Sequence, residues 1–395
     1  MAADARRPPT STMANTPPTW RMAVAVGLLS LTLRLLMWRV GLGLYENLPA
    51  HSPLMPARFP YAPTALRIWA NWDGRWYLSI AHLGYQGRPL ATAFFPAYPV
   101  LLSIAGGSVA AGLFIAWGAY LIGMVYLWRL AADRYGHTAA WYSIVGLAAF
   151  PDAFFFGAVY SESLYVALAA ATLYYAGRRR YGWAVGTAAA ASATSVYGTL
   201  LTPALIIAML RDGASRRHWW SALLVAPAGL WAYMAFLTFR FGHPLLFDRV
   251  QSYWGRHPVP PWVGLEMAAR AAWQSRWIIT QAPWWPVSPA ADHAINGLNF
   301  LVFLFILGIW AACAAGAPWE WRTYSTLGVL LPLLAPSRGE PLMSFPRLAL
   351  MLIPLWASLG SRLARRPGLL IAYLALAGPL EIWCMARFVA FRWVA

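Results

Sequence analysis

The chain has 395 residues, of which 60% are hydrophobic and only 11% are charged, whereas an ordinary soluble domain carries about 25% charged residues. This composition excludes an ordinary soluble globular protein. The net charge of +17 comes from 30 basic residues, all of them Arg, against 13 acidic residues. Much of it falls in short loops between apolar runs, where it indicates membrane topology rather than nucleic-acid binding.

Long apolar runs recur along the whole chain. Because lipid offers no partner for backbone N–H and C=O groups, each run is expected to be a helix. The runs lack the period-two polar alternation of an outer-membrane β-barrel. We therefore predict an all-α polytopic membrane protein with about eleven transmembrane helices.

The N-terminal residues 1–20 are rich in Pro, Thr and Ala, a composition typical of a disordered tail. Arg residues near this end place it in the cytoplasm. The first apolar run, residues 22–44, is too long for the core of a signal peptide and no clear cleavage site follows it, so we predict an uncleaved signal anchor. Residues 21–395 are predicted to form a single transmembrane domain.

Further apolar runs are predicted to be membrane helices, and all but one of them cross the membrane in alternating directions. They lie at residues 108–130, 139–157, 163–177, 183–210, 219–240, 295–314, 324–336, 348–361 and 368–389. The run at 183–210 is broken near residues 194–198, which favours a hairpin of two half-length helices. The segments predicted to be external loops are residues 45–107, 241–293 and 337–347.

Four acid-containing segments lie on the external side of this topology. Their acids are Asp73, Asp152, Glu162, Asp248 and Glu340. An acid held at a membrane face can take a proton from a hydroxyl group while a lipid-borne group lies in the bilayer beside it.

Residues 75–84 are predicted to form a short interfacial helix with an apolar stripe on one face. Arg75 and His82 fall on a second face. Asp73 lies at or just before the start of this helix, beside Trp72. Two roles are open for Asp73, that of an N-cap, which is common for Asp, and that of a catalytic base. The two roles are compatible.

Charged residues at or near membrane depth supply further candidates. Glu162, close to Tyr160, lies at the outer end of a predicted span, where an acid by default marks function and a hydrated or capping charge is the alternative. Arg34 lies within the first span and needs a partner or a lipid phosphate. Arg347 opens a span from the outside, against the usual charge bias, which favours phosphate binding.

The second external loop carries weaker candidates for phosphate binding, His243, Arg249 and Arg256, because solvated charge is the usual explanation there. The sequence contains no HExxH, paired CxxC, Walker A or GxSxG motif. There is also no DxD sequence near Asp73, so neither a bound metal nor a cofactor is expected.

Four motifs in order carry a resemblance to a known family. They are WDGRWYLSIAHLGY, AFFPAYP, FPDAFFFGAVYSES and SFPR, which begin at residues 72, 93, 150 and 344. This series resembles the PIG-V-like mannosyltransferases, bacterial relatives of the enzyme that adds the second mannose to the eukaryotic GPI anchor. The similarity covers residues 70–180 and continues more weakly to the C-terminal end.

The resemblance implies a GT-C glycosyltransferase fold. It also implies an enzyme that transfers a sugar, here mannose, from a polyprenyl-phosphate donor. The reaction would occur at the extracytoplasmic side of a bacterial inner membrane. The family's first-loop acid corresponds to Asp73, the expected catalytic base. The expected substrate-binding residues are Trp72, Arg75, His82, Tyr160, Glu162 and Arg347, with Arg347, Arg34, His243 and Arg249 as phosphate ligands. Two departures from the family pattern, Asp152 and Leu348, affect the detail of the lipid site.

Two other functions are compatible with a polytopic chain of this kind. A transporter or flippase of a lipid-linked sugar would need a similar number of spans, but with acids near the midplane and internal repeats. A polymerase or ligase of lipid-linked glycans would centre on Arg-rich external loops without a dominant acid near the first span. A lipid, a glycan and a protein hydroxyl are all compatible acceptors.

Overall fold

The computed structural model describes residues 20–42, 64–281, 289–314 and 316–394. Within these residues the regular secondary structure is helical, and the β-structure is limited to an isolated bridge between Arg256 and Ser337. The prediction of an all-helical chain is therefore confirmed. The predicted tail at 1–20, apart from its last residue, lies outside the described residues, as do parts of the first and second predicted loops.

The α-helices follow one another in chain order. They are α1 (Trp20–Leu42), α2 (Thr64–Arg67), α3 (Asp73–Leu83), α4 (Ala97–Ile104), α5 (Val109–Tyr135), α6 (His137–Ala148), α7 (Glu162–Gly177), α8 (Tyr181–Ser192), α9 (Leu201–Arg211), α10 (Arg216–Val225), α11 (Ala228–Phe241), α12 (Leu246–Arg249), α13 (Pro261–Gln281), α14 (Pro289–Ala314), α15 (Trp319–Leu334), α16 (Phe345–Ala349), α17 (Ile353–Arg365) and α18 (Pro367–Val389).

Five helical segments in the described part of the chain are long and apolar enough to cross a membrane. They are Trp20–Trp38, Val109–Tyr135, Arg216–Phe241, Ala294–Ala312 and Pro367–Val389, which belong to α1, α5, α10 with α11, α14 and α18. The chain thus has the character of a membrane protein. The other predicted spans are shorter helices; α7 and α15, with 16 residues each, are about 24 Å long against a hydrocarbon core of about 30 Å.

The predicted span at 139–157 is wrong in its second half. Helix α6 ends at Ala148, and the chain continues through turns and a 3₁₀-helix at Ala153–Gly157 until α7 begins. Pro151 explains the break, because it lacks the N–H group and disfavours helical geometry in the preceding residue. Residues 150–163 are buried throughout, the condition under which irregular backbone is tolerated in a membrane domain.

The predicted break in the run at 183–210 is confirmed. Helices α8 and α9 are separated by a turn and a 3₁₀-helix at Val196–Leu200. Ser195 accepts a hydrogen bond from the N–H of Tyr197 at the start of this 3₁₀-helix. Gly198 approaches the preceding helix so closely that a Cβ atom would lie 2.4 Å from the backbone of Ala191, so only glycine fits there.

A buried ion pair connects the first and last long helices. Arg34 Nε donates to Glu381 Oε1 at 2.9 Å, and Arg34 Nη2 donates to the carbonyl oxygen of Ala148 at 2.7 Å. The two side chains are only 2% and 7% exposed. The interaction joins α1, α18 and the end of α6, and therefore supports the irregular segment that follows Ala148.

We expect Arg34→Met to lower the stability of the purified protein strongly, because it leaves Glu381 buried without its partner, a change that costs about 3–5 kcal/mol. The double variant Arg34→Met/Glu381→Leu should recover most of the lost thermal stability. Arg178→Met is the matched control, because the pair of Arg178 and Asp133 is 45% and 39% exposed and such pairs contribute less than about 1 kcal/mol. Equal melting temperatures for Arg34→Met and the control would contradict this account.

Candidate functional site

Three charged side chains that are distant in sequence meet in one cluster. Arg347 Nη1 donates to Asp73 Oδ2 at 2.5 Å, and Arg347 Nε lies 3.2 Å from Glu162 Oε1. The side chain of Glu162 is 4% exposed and that of Arg347 is 13% exposed, whereas that of Asp73 is 20% exposed. Of the predicted site residues, the structure therefore brings together the two acids and the Arg, with the carboxylate of Asp73 nearest to the surface.

Asp73 is held at the start of α3 by unusual backbone geometry. Trp72 occupies the N-cap position with φ of 53°, a left-handed conformation that costs energy for a residue with a side chain. The N–H of Asp73 donates to Tyr160 Oη at 3.1 Å, and Tyr160 Oη donates to the carbonyl oxygen of Asn71 at 3.0 Å. Asp73 is thus not the N-cap; its carboxylate points to Arg347 instead.

Glu162 is the first residue of α7 and completes the cluster from the opposite side. Its Oε2 atom is buried and has no hydrogen-bond partner in the described part of the chain. The preceding Ser161 shares a hydrogen bond of 2.8 Å with Tyr77 Oη, which joins the start of α7 to α3. Because the charges of the three cluster residues are −1, −1 and +1, the cluster has a formal charge of −1.

Arg347 is positioned by the short helix α16. Pro346 lies in its first turn, where proline fits, and the preceding Ser344 has a positive φ of 66°. The guanidinium carbon lies 5.4 Å from the ring centres of both Phe155 and Tyr160, which favours a cation. Burial alone would lower the pKa of Arg347, but the charges of Asp73 and Glu162 outweigh it and raise the pKa above its ordinary value.

The C-terminal segment packs against the residue before Asp73. The ring of Phe391 stacks on Trp72 at 4.4 Å with an interplanar angle of 1°, and Trp393 contacts Trp72 edge-on at 5.1 Å. The guanidinium of Arg75 lies 4.2 Å from the ring centre of Phe391. Asn71 donates to the carbonyl oxygen of Phe388 at 2.9 Å. Trp72 and Arg75 therefore contact the chain's own C-terminal segment.

Other predicted site residues lie apart from this cluster. His82 contacts the carbonyl oxygen of Gly107 at 2.9 Å and follows Asp73 by nine residues along α3, a rise of about 14 Å. Arg34 is engaged by Glu381, as described above. His243 Nδ1 accepts from the N–H of Leu245 at 3.2 Å, and Arg249 is exposed at the end of α12.

Asp152, predicted on the external side, lies in the buried irregular segment between α6 and α7 rather than in an exposed loop. The side chain is buried, and its Oδ1 atom has no hydrogen-bond partner among residues with described positions. The signal in the sequence was its place between Pro151 and the following aromatic residues, a setting more typical of a core than of a loop. In the described ranges, no group of three or more His, Cys, Asp and Glu side chains could hold a metal ion.

Comparison with models of protein families, with curated proteins and with solved structures found no match for this chain. The inference of function therefore rests on the geometry and chemistry of the cluster, together with the resemblance that the chain's four sequence motifs carry.

The cluster predicts strong coupling between Arg347 and Glu162. Arg347→Gln should destabilise the protein by about 3 kcal/mol, because it leaves the buried Glu162 without a countercharge. Adding Glu162→Gln should restore much of this loss in thermal unfolding of the purified protein. Arg249→Gln, on an exposed helix end, should change stability by less than about 0.5 kcal/mol. Additive effects of Arg347→Gln and Glu162→Gln would contradict direct coupling.

The C-terminal packing predicts that Phe391→Ala loosens the start of α3. We expect amide hydrogen exchange in residues 71–77 to accelerate by about tenfold or more, because the stacked ring no longer holds Trp72 in its strained conformation. Exchange in α5 should stay unchanged. Phe239→Ala provides the control, since the side chain of Phe239 is 94% exposed. Unchanged exchange at 71–77 in Phe391→Ala would exclude this support role.

Proposed function

We propose that the protein is an inverting membrane glycosyltransferase that moves a sugar from a polyprenyl-phosphate donor to an acceptor hydroxyl. The observation that carries this proposal is the geometry of Asp73, a partly accessible carboxylate fixed at a helix start by Arg347 beside the buried Glu162. By resemblance to the PIG-V-like family the sugar is mannose, and the reaction occurs on the extracytoplasmic side of a bacterial inner membrane.

The proposed reaction needs one base and a stabilised leaving group. As the acceptor oxygen bonds to the anomeric carbon, Asp73 takes the proton of the acceptor hydroxyl. The bond between that carbon and the phosphate oxygen breaks, and its electron pair leaves with polyprenyl phosphate. Positive charge near the developing phosphate lowers the barrier. The products are an inverted glycoside, polyprenyl phosphate and a protonated Asp73.

Glu162 and Tyr160 have positioning roles in this mechanism. Glu162 engages the second edge of the Arg347 guanidinium, so that the first edge faces Asp73. Tyr160 accepts from the N–H of Asp73 and donates to Asn71, which fixes the backbone on either side of Trp72. Together they hold the carboxylate of Asp73 in one orientation before a substrate arrives, which reduces the cost of ordering it during the reaction.

The finer architecture, a GT-C fold with about eleven transmembrane helices, is part of the same proposal. Besides the five long segments, the proposal takes six shorter helices, α6, α7, α8, α9, α15 and α17, as the remaining membrane helices, with α8 and α9 forming the half-length hairpin. Helix α3, which follows the first span and begins at Asp73, then lies at the external interface.

The test is transfer of radiolabelled sugar by the purified protein in nanodiscs, with polyprenyl-phosphate mannose and a membrane lipid extract. We expect Asp73→Asn to lower the rate by a factor of about 10²–10⁴, the range for loss of a general base. Asp248→Asn is the matched control, because it makes the same change at an exposed acid on an external loop.

Three outcomes bear on the proposal. Transfer by the wild type and Asp248→Asn, but not by Asp73→Asn, supports the reaction and the base. Consumption of another polyprenyl-phosphate sugar instead of mannose keeps the reaction and corrects the sugar. If no such donor is consumed, while donor moves across proteoliposome membranes at equal rates with wild type and Asp73→Asn, the chain is a transporter of lipid-linked sugars and the proposal fails.

A further inference from the structure

Arg256 lies where two external loops meet beside the cluster. Its backbone forms the isolated antiparallel bridge with Ser337, and neighbouring hydrogen bonds connect Arg338 N–H to the carbonyl oxygen of Gly255 at 3.1 Å and His257 N–H to that of Pro336 at 3.3 Å. This pairing fixes the position of Arg256 on an otherwise irregular loop. The residue was a weak candidate from sequence, where solvated charge was the usual explanation.

The side chain of Arg256 reaches the segment that carries Arg347. Its Nη2 atom donates to the carbonyl oxygen of Met343 at 3.0 Å, directly before the strained Ser344 that starts α16. Its Nε atom is buried and has no hydrogen-bond partner among the described residues. A buried donor of this kind calls for an acceptor, because leaving it unsatisfied costs free energy.

Arg256 has no carboxylate partner in the described ranges, in contrast to Arg347 and Arg34. Arg347 is paired with two carboxylates and Arg34 with Glu381. Burial lowers the pKa of Arg256, and the charge of Arg347 lowers it further, against the opposing effects of Tyr197, Glu340 and Asp73.

Glu340 does not act as a close partner for this charge. Its Oε1 atom accepts instead from Asn299 Nδ2 at 2.8 Å. Burial raises the pKa of Glu340 to about 7, so this carboxyl is partly neutral at neutral pH. Positive charge is therefore in excess on the Arg256 side of the cluster, whereas negative charge is in excess at Asp73 and Glu162.

We propose that Arg256 binds the phosphate group of a lipid phosphate and is the main cation for the leaving group of the transfer reaction. This inference rests on the proposed function and reassigns the phosphate contact from Arg34, Arg347, His243 and Arg249. A phosphate oxygen at Arg256 satisfies the Nε donor, and a second oxygen meets the adjacent N–H group, the bidentate geometry typical of Arg and phosphate. The sugar then extends from Arg256 toward Asp73.

Binding of a sugar-free lipid tests this site without any transfer step. The probe is a short-chain polyprenyl phosphate, added to the full chain in nanodiscs and followed by microscale thermophoresis, with inorganic phosphate and the uncharged polyprenol as companion probes. We expect Arg256→Gln to weaken binding of the lipid phosphate by about tenfold or more, while Arg256→Lys retains part of the affinity. Arg249→Gln, an exposed Arg on the same loop, should bind like the wild type.

The outcomes separate this inference from the proposed function. Weaker binding of both polyprenyl phosphate and inorganic phosphate by Arg256→Gln, with polyprenol unaffected, supports a site for the phosphate group. If this occurs in a chain that transfers no sugar, the site stands and the glycosyltransferase proposal falls. Equal affinity of Arg256→Gln and wild type for polyprenyl phosphate overturns the inference even if sugar transfer is observed. Equal losses of affinity for polyprenyl phosphate in Arg256→Gln and Arg249→Gln overturn it as well, because they indicate that the summed positive charge of the loop attracts the phosphate.

Discussion

The contact of one Arg with two acids organises this end of the molecule. Arg347 joins the start of α3, through Asp73, to the start of α7, through Glu162. Glu162 is buried, and a buried carboxylate is costly as a charge without a partner such as Arg347. The same contact fixes the orientation of the more exposed carboxylate, that of Asp73. The junction of α3 with α7 and the orientation of the Asp73 carboxylate therefore depend on a single guanidinium group.

Backbone strain is concentrated around this contact. Positive φ values at non-glycine residues occur in the described part of the chain at Trp72, Arg179, Ser344 and Phe391. Trp72 directly precedes Asp73, Ser344 starts the helix of Arg347, and Phe391 stacks on Trp72. Such conformations persist only where the surrounding packing imposes them, and they are frequent at functional sites. Here the packing comes from the irregular segment before α7 and from the C-terminal segment.

The sequence predicted those features that local pattern determines. Apolar runs located the long helices, charge at a costly depth selected Glu162, and an outside Arg against the usual charge bias selected Arg347. Tertiary packing decided the rest. The stacking of Phe391 on Trp72 joins residues over 300 positions apart, and no local periodicity encodes it. His82 shares a helical face with Arg75, but the length of α3 separates it from Asp73. Arg34 met a carboxylate from the last long helix instead of a lipid phosphate.

The most direct measurement is a cryo-electron microscopy structure of the chain in nanodiscs with a polyprenyl phosphonate sugar. In this analogue a methylene group replaces the oxygen between the sugar and phosphorus, so that transfer cannot occur. The account predicts density for the sugar with its anomeric carbon facing the carboxylate of Asp73, on the side opposite the phosphonate. Density for the headgroup midway along the long helices, away from Asp73 and Arg347, would contradict a transfer site and favour a transport pathway.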